Sequence, residues 1–182
     1  MTSKKSIPQV LQRTTIAKSR IFTIESLELK FSNGVERNYE RLVSRHRGAV
    51  LVVPMLDDET ILLIEEYGGG IENYHLSFPK GLIDPGETPI EAANRELKEE
   101  VGYGANDIQL LKEMSSSPGY WNSMAYTLVA RDLYPEVLIG DEPEPITVVP
   151  WKLKDYPALL KRDDFAESRS IAALLMVKEM YL

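Results

Sequence analysis

The sequence predicts an α/β fold in which a mixed β-sheet is sandwiched between helices and preceded by an N-terminal region of antiparallel strands. Three observations predict it. Short apolar or alternating runs fill the first third of the chain, residues 88–102 carry both start and stop signals for a helix, and the last stretch returns to helical spacing. With 182 residues there is room for one well-buried domain of this class, and a second would have to be unusually small.

Taken in order, Leu27, Leu29 and Phe31 alternate with Glu28 and Lys30, and Asn33-Gly34 follows as a hairpin turn with a return strand over 35–43. Residues 49–55 and 60–64 are apolar runs bounded by Pro54 and Asp57-Asp58, which predicts two buried strands paired with each other. A glycine-rich loop, Gly68-Gly69-Gly70, and then Pro79-Lys80-Gly81 lead to the strongest helix. Thr88, Pro89 and Glu91 stand at N-cap, N1 and N3, a capping box with proline where a missing N–H costs nothing. Ile90, Ala93, Leu97 and Val101 share one arc of the wheel as its core face, and Gly102 is placed to end it in the left-handed region. Further strands are expected at 108–111, 124–130 and 146–149, separated by the loop 115–120 and the acidic loop 140–145. A closing helix begins near Phe165, with Ile171, Leu174, Leu175 and Met176 at roughly helical spacing.

Composition narrows the chemistry. The chain is 43% hydrophobic and 27% charged, ordinary globular usage, and the N-terminal MTSKKSIPQV has no apolar stretch behind its lysines, so a soluble, cytoplasmic protein is expected. Cysteine is absent, which removes disulfides, thiol nucleophiles and thiolate metal sites, and only His46 and His75 could supply imidazole. A metal would therefore be held mainly by oxygen, as magnesium, manganese and calcium are. The formal net charge of −7 argues against nucleic-acid or anionic-lipid partners. Arg41, Arg45, His46 and Arg47 make a local basic stretch, read first as a solvated strand end.

On the helix after Thr88, Glu96, Glu99 and Glu100 fall at i, i+3 and i+4, away from the core stripe. Like charges so spaced destabilise an isolated helix by roughly 0.2–0.5 kcal/mol per pair, so a hard divalent cation is the natural neutraliser. An acidic, solvated helix face is the plain alternative for any such triplet. Its surroundings decide against that: Gly81, five residues, Glu87, seven residues, then Arg95-Glu96-Leu97-Lys98-Glu99-Glu100-Val101-Gly102.

That pattern resembles the signature of the Nudix hydrolase family, with Tyr103 standing at a final position that is usually aliphatic. The resemblance implies the Nudix fold, an α/β/α sandwich over 48–182, with 1–47 as an N-terminal strand region that serves dimerisation. It implies that Glu96, Glu99 and Glu100 bind Mg²⁺, with Mn²⁺ a possible substitute, and that Lys80 lends a backbone carbonyl. Arg95 would orient Glu87 or a helix glutamate through charge-assisted hydrogen bonds. The reaction implied is attack of water on a phosphorus of a substituted diphosphate, with metal ions activating the water and offsetting charge. For a general base the acidic loop offers Asp141, Glu142 and Glu144, of which Glu142 and then Glu144 are favoured, with a merely solvated loop of nearly equal weight.

Substrate signals lie outside the helix. Pro118 stands fifteen residues after the motif, where the family's ADP-ribose hydrolases place a proline, and Tyr120 lies near a tyrosine associated with dinucleoside polyphosphates. The segments RIFTIESLELKFSNGVERNYER, GLIDPGETPIEAANRELKEEVGYGAND and DLYPEVLIGDEPEP resemble family members acting on ADP joined to another group: ADP-ribose, short diadenosine polyphosphates or NADH, cleaved to AMP and a phosphorylated remainder. Pro118, Tyr120 and Arg41 are the candidate substrate contacts, and Tyr120 or Trp121 could stack on adenine. Two departures stand against this: Leu76-Ser77-Phe78 occupies the place of a glutamate often found before the motif glycine, and an arginine often found near Glu65-Glu66 is missing. The rival readings are a non-catalytic Nudix module that binds a nucleotide or protein partner, and a nucleoside triphosphate or RNA-end hydrolase.

Overall fold

The alternating run and its Asn33-Gly34 turn fold as the pattern predicts. In the computed structural model, which describes residues 6–44 and 47–181, β1 (Gln9–Lys18), β2 (Thr23–Lys30) and β3 (Glu36–Leu42) form an antiparallel sheet in that order. Gly34 takes the turn at φ 82°, and the amide of Phe31 donates to the carbonyl of Val35 at 2.9 Å. β1 has no signal in the sequence because all ten of its residues are exposed and its register slips twice, between Val10 and Gln12 and between Thr15 and Ala17. The chain groups into two compact units, and residues 115–123 belong with these strands, whereas the sequence assigns them to the second region. Arg45 and His46 of the basic stretch lie outside the described residues.

In the second unit, β4 (Ala49–Pro54) and β5 (Thr60–Gly68) are both apolar and buried, but they are not the paired strands expected. A single bridge, Met55 to Ile61, joins their ends. β5 instead lies antiparallel between β6 (Asn73–Ser77) and a later strand, while β4 pairs antiparallel with β7 (Lys80–Leu82) on one side. Its other side pairs in parallel with β9 (Met124–Pro135), which reverses the reason for the apolar run: a parallel strand buried on both faces reads as continuous hydrophobe.

The helix begins at its capping box. Thr88 Oγ1 accepts from the Glu91 amide at 3.2 Å and the Glu91 carboxylate accepts from the Thr88 amide at 2.8 Å, opening α1 (Pro89–Glu96). Over Leu97–Val101 the helix widens into a π turn, which the i, i+3, i+4 reading does not anticipate, and Gly102 ends it at φ 78°. Ala92, Ala93, Leu97 and Val101 are buried, but Ile90 is 49% exposed and does not belong to the core face.

β8 (Tyr103–Ser115) and β9 (Met124–Pro135) run well past the short strands expected, giving a four-stranded sheet in the order β7-β4-β9-β8. β10 (Thr147–Lys152) completes the three-stranded sheet β10-β5-β6, followed by the short helix α2 (Tyr156–Leu159) and by α3 (Ser168–Tyr181). Two cores separate by strand alternation. Val50, Val52, Leu62 and Ile64 pack with Ala93 and Leu97 of α1, while Leu51, Val53, Ile61 and Leu63 pack with Leu174 and Val177 of α3. The second unit is thus an α/β/α sandwich, and Tyr103 packs at the edge of the α1 core.

Candidate active site

Arg95 organises the α1 end of the second unit. Its Nε and Nη2 donate to the two carboxylate oxygens of Glu87 at 2.9 and 3.1 Å, Nη2 also donates to the Leu82 carbonyl at 2.9 Å, and Nη1 donates to Glu96 at 2.8 Å and Glu99 at 2.9 Å. One guanidinium therefore ties the turn after β7 to two carboxylates of the helix, and the planar fork suits that task better than an ammonium could.

Glu96 and Glu100 are 7% and 6% exposed. Burial pushes the Glu96 carboxyl up to about 7 against the pull of Arg95, and the Glu100 carboxyl up to about 8 against the backbone N–H of Lys80. That N–H donates to Glu100 Oε2 at 2.8 Å and ties the Lys80 peptide to the helix. The Lys80 side chain turns to Glu66, with the ammonium also 2.9 Å from Ser77 Oγ.

Gly81 has a spatial reason to be glycine. A Cβ there would land on the Glu96 carboxylate, although the backbone is in an ordinary conformation. The motif glycine thus opens the floor of a cavity of about 510 Å³ whose lining includes Glu66, Lys80, Arg95, Glu96, Glu99, Glu100 and Glu142. Among the described residues no three acidic or histidine side chains are gathered at metal-ligand distance; Arg95 pairs with Glu96 and Glu99, and the Lys80 amide with Glu100. The donor set nevertheless fits a hard divalent cation: all oxygen, strongly acidic, and including two carboxylates that burial disfavours in their charged form.

The acidic loop reaches this cavity because the chain after β9 is fastened to the end of the helix. The amides of Glu136 and Leu138 donate to the carbonyls of Gly102 and Lys98 at 3.1 and 3.0 Å, and Lys98 Nζ lies 2.9 Å from the Glu136 carboxylate. Two carbonyls at the helix end gain partners in this way. Gly140, Asp141 and Glu142 then line the cavity, and a Cβ on Gly140 would strike the Glu142 carboxylate. Glu144 does not join them: it accepts a hydrogen bond from the Tyr74 hydroxyl, which holds that phenol's proton above the usual tyrosine range. Sequence reasoning missed Tyr74, Lys98 and Glu136, since only the pinned loop brings them into play.

Pro118, Tyr120 and Arg41 come together elsewhere, in the first unit. With Trp121, Tyr39 and Leu27 they line a cavity of about 200 Å³. The loop is laid along β3, with the Leu42 amide donating to the Tyr120 carbonyl at 2.7 Å, and Arg41 donates to Glu25 at 3.0 Å. His75 lies on β6, with its Nε2 3.6 Å from Glu66 and its Nδ1 buried without a partner.

Residues 45–174 match the model of the NUDIX domain, and residues 8–41 match that of the NudE-type Nudix hydrolase N-terminal domain. The chain belongs to the Nudix hydrolase family and is, by that membership, a nucleotide pyrophosphatase. It is 52% identical to ADP compounds hydrolase NudE of Escherichia coli (strain K12) over 98% of this chain and 96% of the relative. A crystal structure of an ADP compounds hydrolase superposes with a TM-score of 0.91 at 52% identity, covering 98% of this chain and 96% of that one. An ADP-ribose pyrophosphatase of Bacillus subtilis (strain 168) is 28% identical over 93% of this chain and 95% of the relative.

Proposed function

We propose that this chain is a Mg²⁺-dependent hydrolase of ADP-containing compounds, releasing AMP and a phosphorylated remainder from ADP-ribose, short diadenosine polyphosphates or NADH. The observation that carries the reading is the pair of buried carboxylates, Glu96 and Glu100, facing an acidic cavity that Gly81 keeps open. The names of the most similar relatives support the substrate class.

Glu96, Glu99 and Glu100 would hold the cation, with Arg95 orienting Glu96 and Glu99. Bound there, Mg²⁺ would offset the charge of the diphosphate and make water a better nucleophile; Mn²⁺ has the same ligand preferences. Glu142, on the cavity wall, accepts the proton of the attacking water, while Glu144 stays with Tyr74. Pro118, Tyr120 and Arg41 are assigned to the ADP half. Dimerisation of 1–47 is supported by β1, an exposed edge strand carrying Val10, Leu11 and Ile16 at 40–48% exposure. A cytoplasmic location agrees with the enzyme class, and among the described residues no helix is long and apolar enough to cross a membrane.

Product chromatography after incubation with ADP-ribose, diadenosine diphosphate, NADH, nucleoside triphosphates and triphosphate-ended RNA tests the reading. AMP is expected from the first three with little turnover of the rest. Preferential cleavage of triphosphates or RNA ends would overturn it.

A further inference from the structure

We infer that Tyr67 and Tyr74 form a stacking subsite for a flat, uncharged or cationic heterocycle on the group that lies beyond the diphosphate. The inference rests on the reading that the carboxylate cavity takes the diphosphate. That cavity adjoins a second one of about 350 Å³, and the two share Glu66 and Glu142 in their walls. A substituent leaving the diphosphate on that side enters the second cavity directly. Its volume lies within the ordinary range for small-molecule sites, roughly 300–1,000 Å³.

The walls say what the substituent is. Tyr67 and Tyr74 are direct partners across β5 and β6, with ring centroids 5.5 Å apart at 69°. Edge contact with each other leaves ring faces free, and the residues are 53% and 46% exposed. Aromatic faces of this kind accept a heterocycle by stacking, tolerant of which one it is. Around them stand Glu65, Glu66, Glu142 and Glu144, and among the described residues lining this cavity none is a lysine or arginine; Lys80 is engaged by Glu66 in the other cavity and Arg162 by Asp164. The Tyr74 hydroxyl spends its donor on Glu144. A terminal phosphate would meet like charge there with no lining cation to offset it, whereas a neutral or cationic ring meets aromatic faces and an acidic rim. The subsite therefore favours ADP joined to a second nucleoside over ADP joined to a bare sugar or a phosphate.

NADH and ADP-ribose share the ADP half and differ in the distal heterocycle, so the ratio of their kcat/KM values isolates the subsite. In Tyr67→Leu, which removes a stacking face but not the link to Glu144, the NADH to ADP-ribose ratio should fall at least fivefold, through KM for NADH, on the scale of about 1–3 kcal/mol that one stacked base contributes. Tyr74→Phe keeps the ring and should leave that ratio within twofold of wild type. An unchanged ratio in Tyr67→Leu, or equal losses on both compounds, would overturn the assignment. Should wild type cleave neither compound, the proposed reaction fails by itself; calorimetry then decides the subsite, which requires Tyr67→Leu to weaken NADH binding at least fivefold relative to ADP-ribose.

Discussion

Arg95 and Glu87 are joined by two hydrogen bonds, from Nε at 2.9 Å and Nη2 at 3.1 Å, and this fork holds the turn after β7 against the last turn of α1. The same guanidinium reaches Glu96 and Glu99. Arg95→Lys keeps the charge and loses the fork, so two of the proposed cation ligands, Glu96 and Glu99, lose their orientation. Turnover at saturating Mg²⁺ should drop at least tenfold while circular dichroism stays unchanged. Full activity in Arg95→Lys would show that charge alone suffices.

Gly81→Ala places a methyl group where the Glu96 carboxylate now lies. The backbone there accepts alanine, so thermal unfolding should change little, but Glu96 must move. The Mg²⁺ concentration for half-maximal rate should rise on the order of tenfold, the scale seen when groups supporting a metal site are disturbed. An unshifted Mg²⁺ dependence would place the cation away from Glu96.

Stability should depend on pH with a definite sign. The Glu96 and Glu100 carboxyls stand at about 7 and about 8 in the folded chain, both above their ordinary 4.5, so the folded state holds more protons than the unfolded one between those limits. Their contribution is greatest at low pH and is lost as pH rises through 4.5 to 8. Metal-free protein should therefore give up more stability between pH 6 and pH 8.5 than Glu100→Gln does. Added Mg²⁺, which needs the ionised carboxylates, should raise Tm more at pH 8.5 than at pH 6. Equal Mg²⁺ shifts at both values would separate these groups from the cation.

How much of this was legible from sequence depends on how local each cause is. The helix start is written in Thr88, Pro89 and Glu91, and the hairpin in Asn33-Gly34, because caps and turns are decided by neighbouring residues. The pairing of β4 with β9 is not, since the two are far apart in the chain and an apolar run alone does not say which strand lies beside it. Gly81 was visible as a motif position, yet its reason, the approach of Glu96 from the next element, belongs to the fold. The π turn after Glu96, where Leu97 and Val101 are buried, likewise has no mark in local propensity. Tyr74 and Glu144 stand seventy residues apart, so nothing near either of them announces their hydrogen bond.

That hydrogen bond separates the two acidic-loop candidates. Glu142 lines the carboxylate cavity and Glu144 is held outside it, so Glu142→Gln should lower kcat by about 10²–10⁴, the range for a lost general base. Glu144→Gln should lower it less than tenfold. Comparable losses in both variants would mean that the loop acts as a unit, and no loss in either would remove it from the chemistry.

The central claim, cation-dependent hydrolysis at Glu96, Glu99 and Glu100, is tested most directly by AMP release from ADP-ribose in wild type and Glu100→Gln, each with Mg²⁺ and with excess chelator. Wild type should release AMP only with Mg²⁺, and Glu100→Gln should fall at least a hundredfold under the same conditions while unfolding cooperatively. Sustained release by wild type in chelator, or by Glu100→Gln at the wild-type rate, would contradict the account.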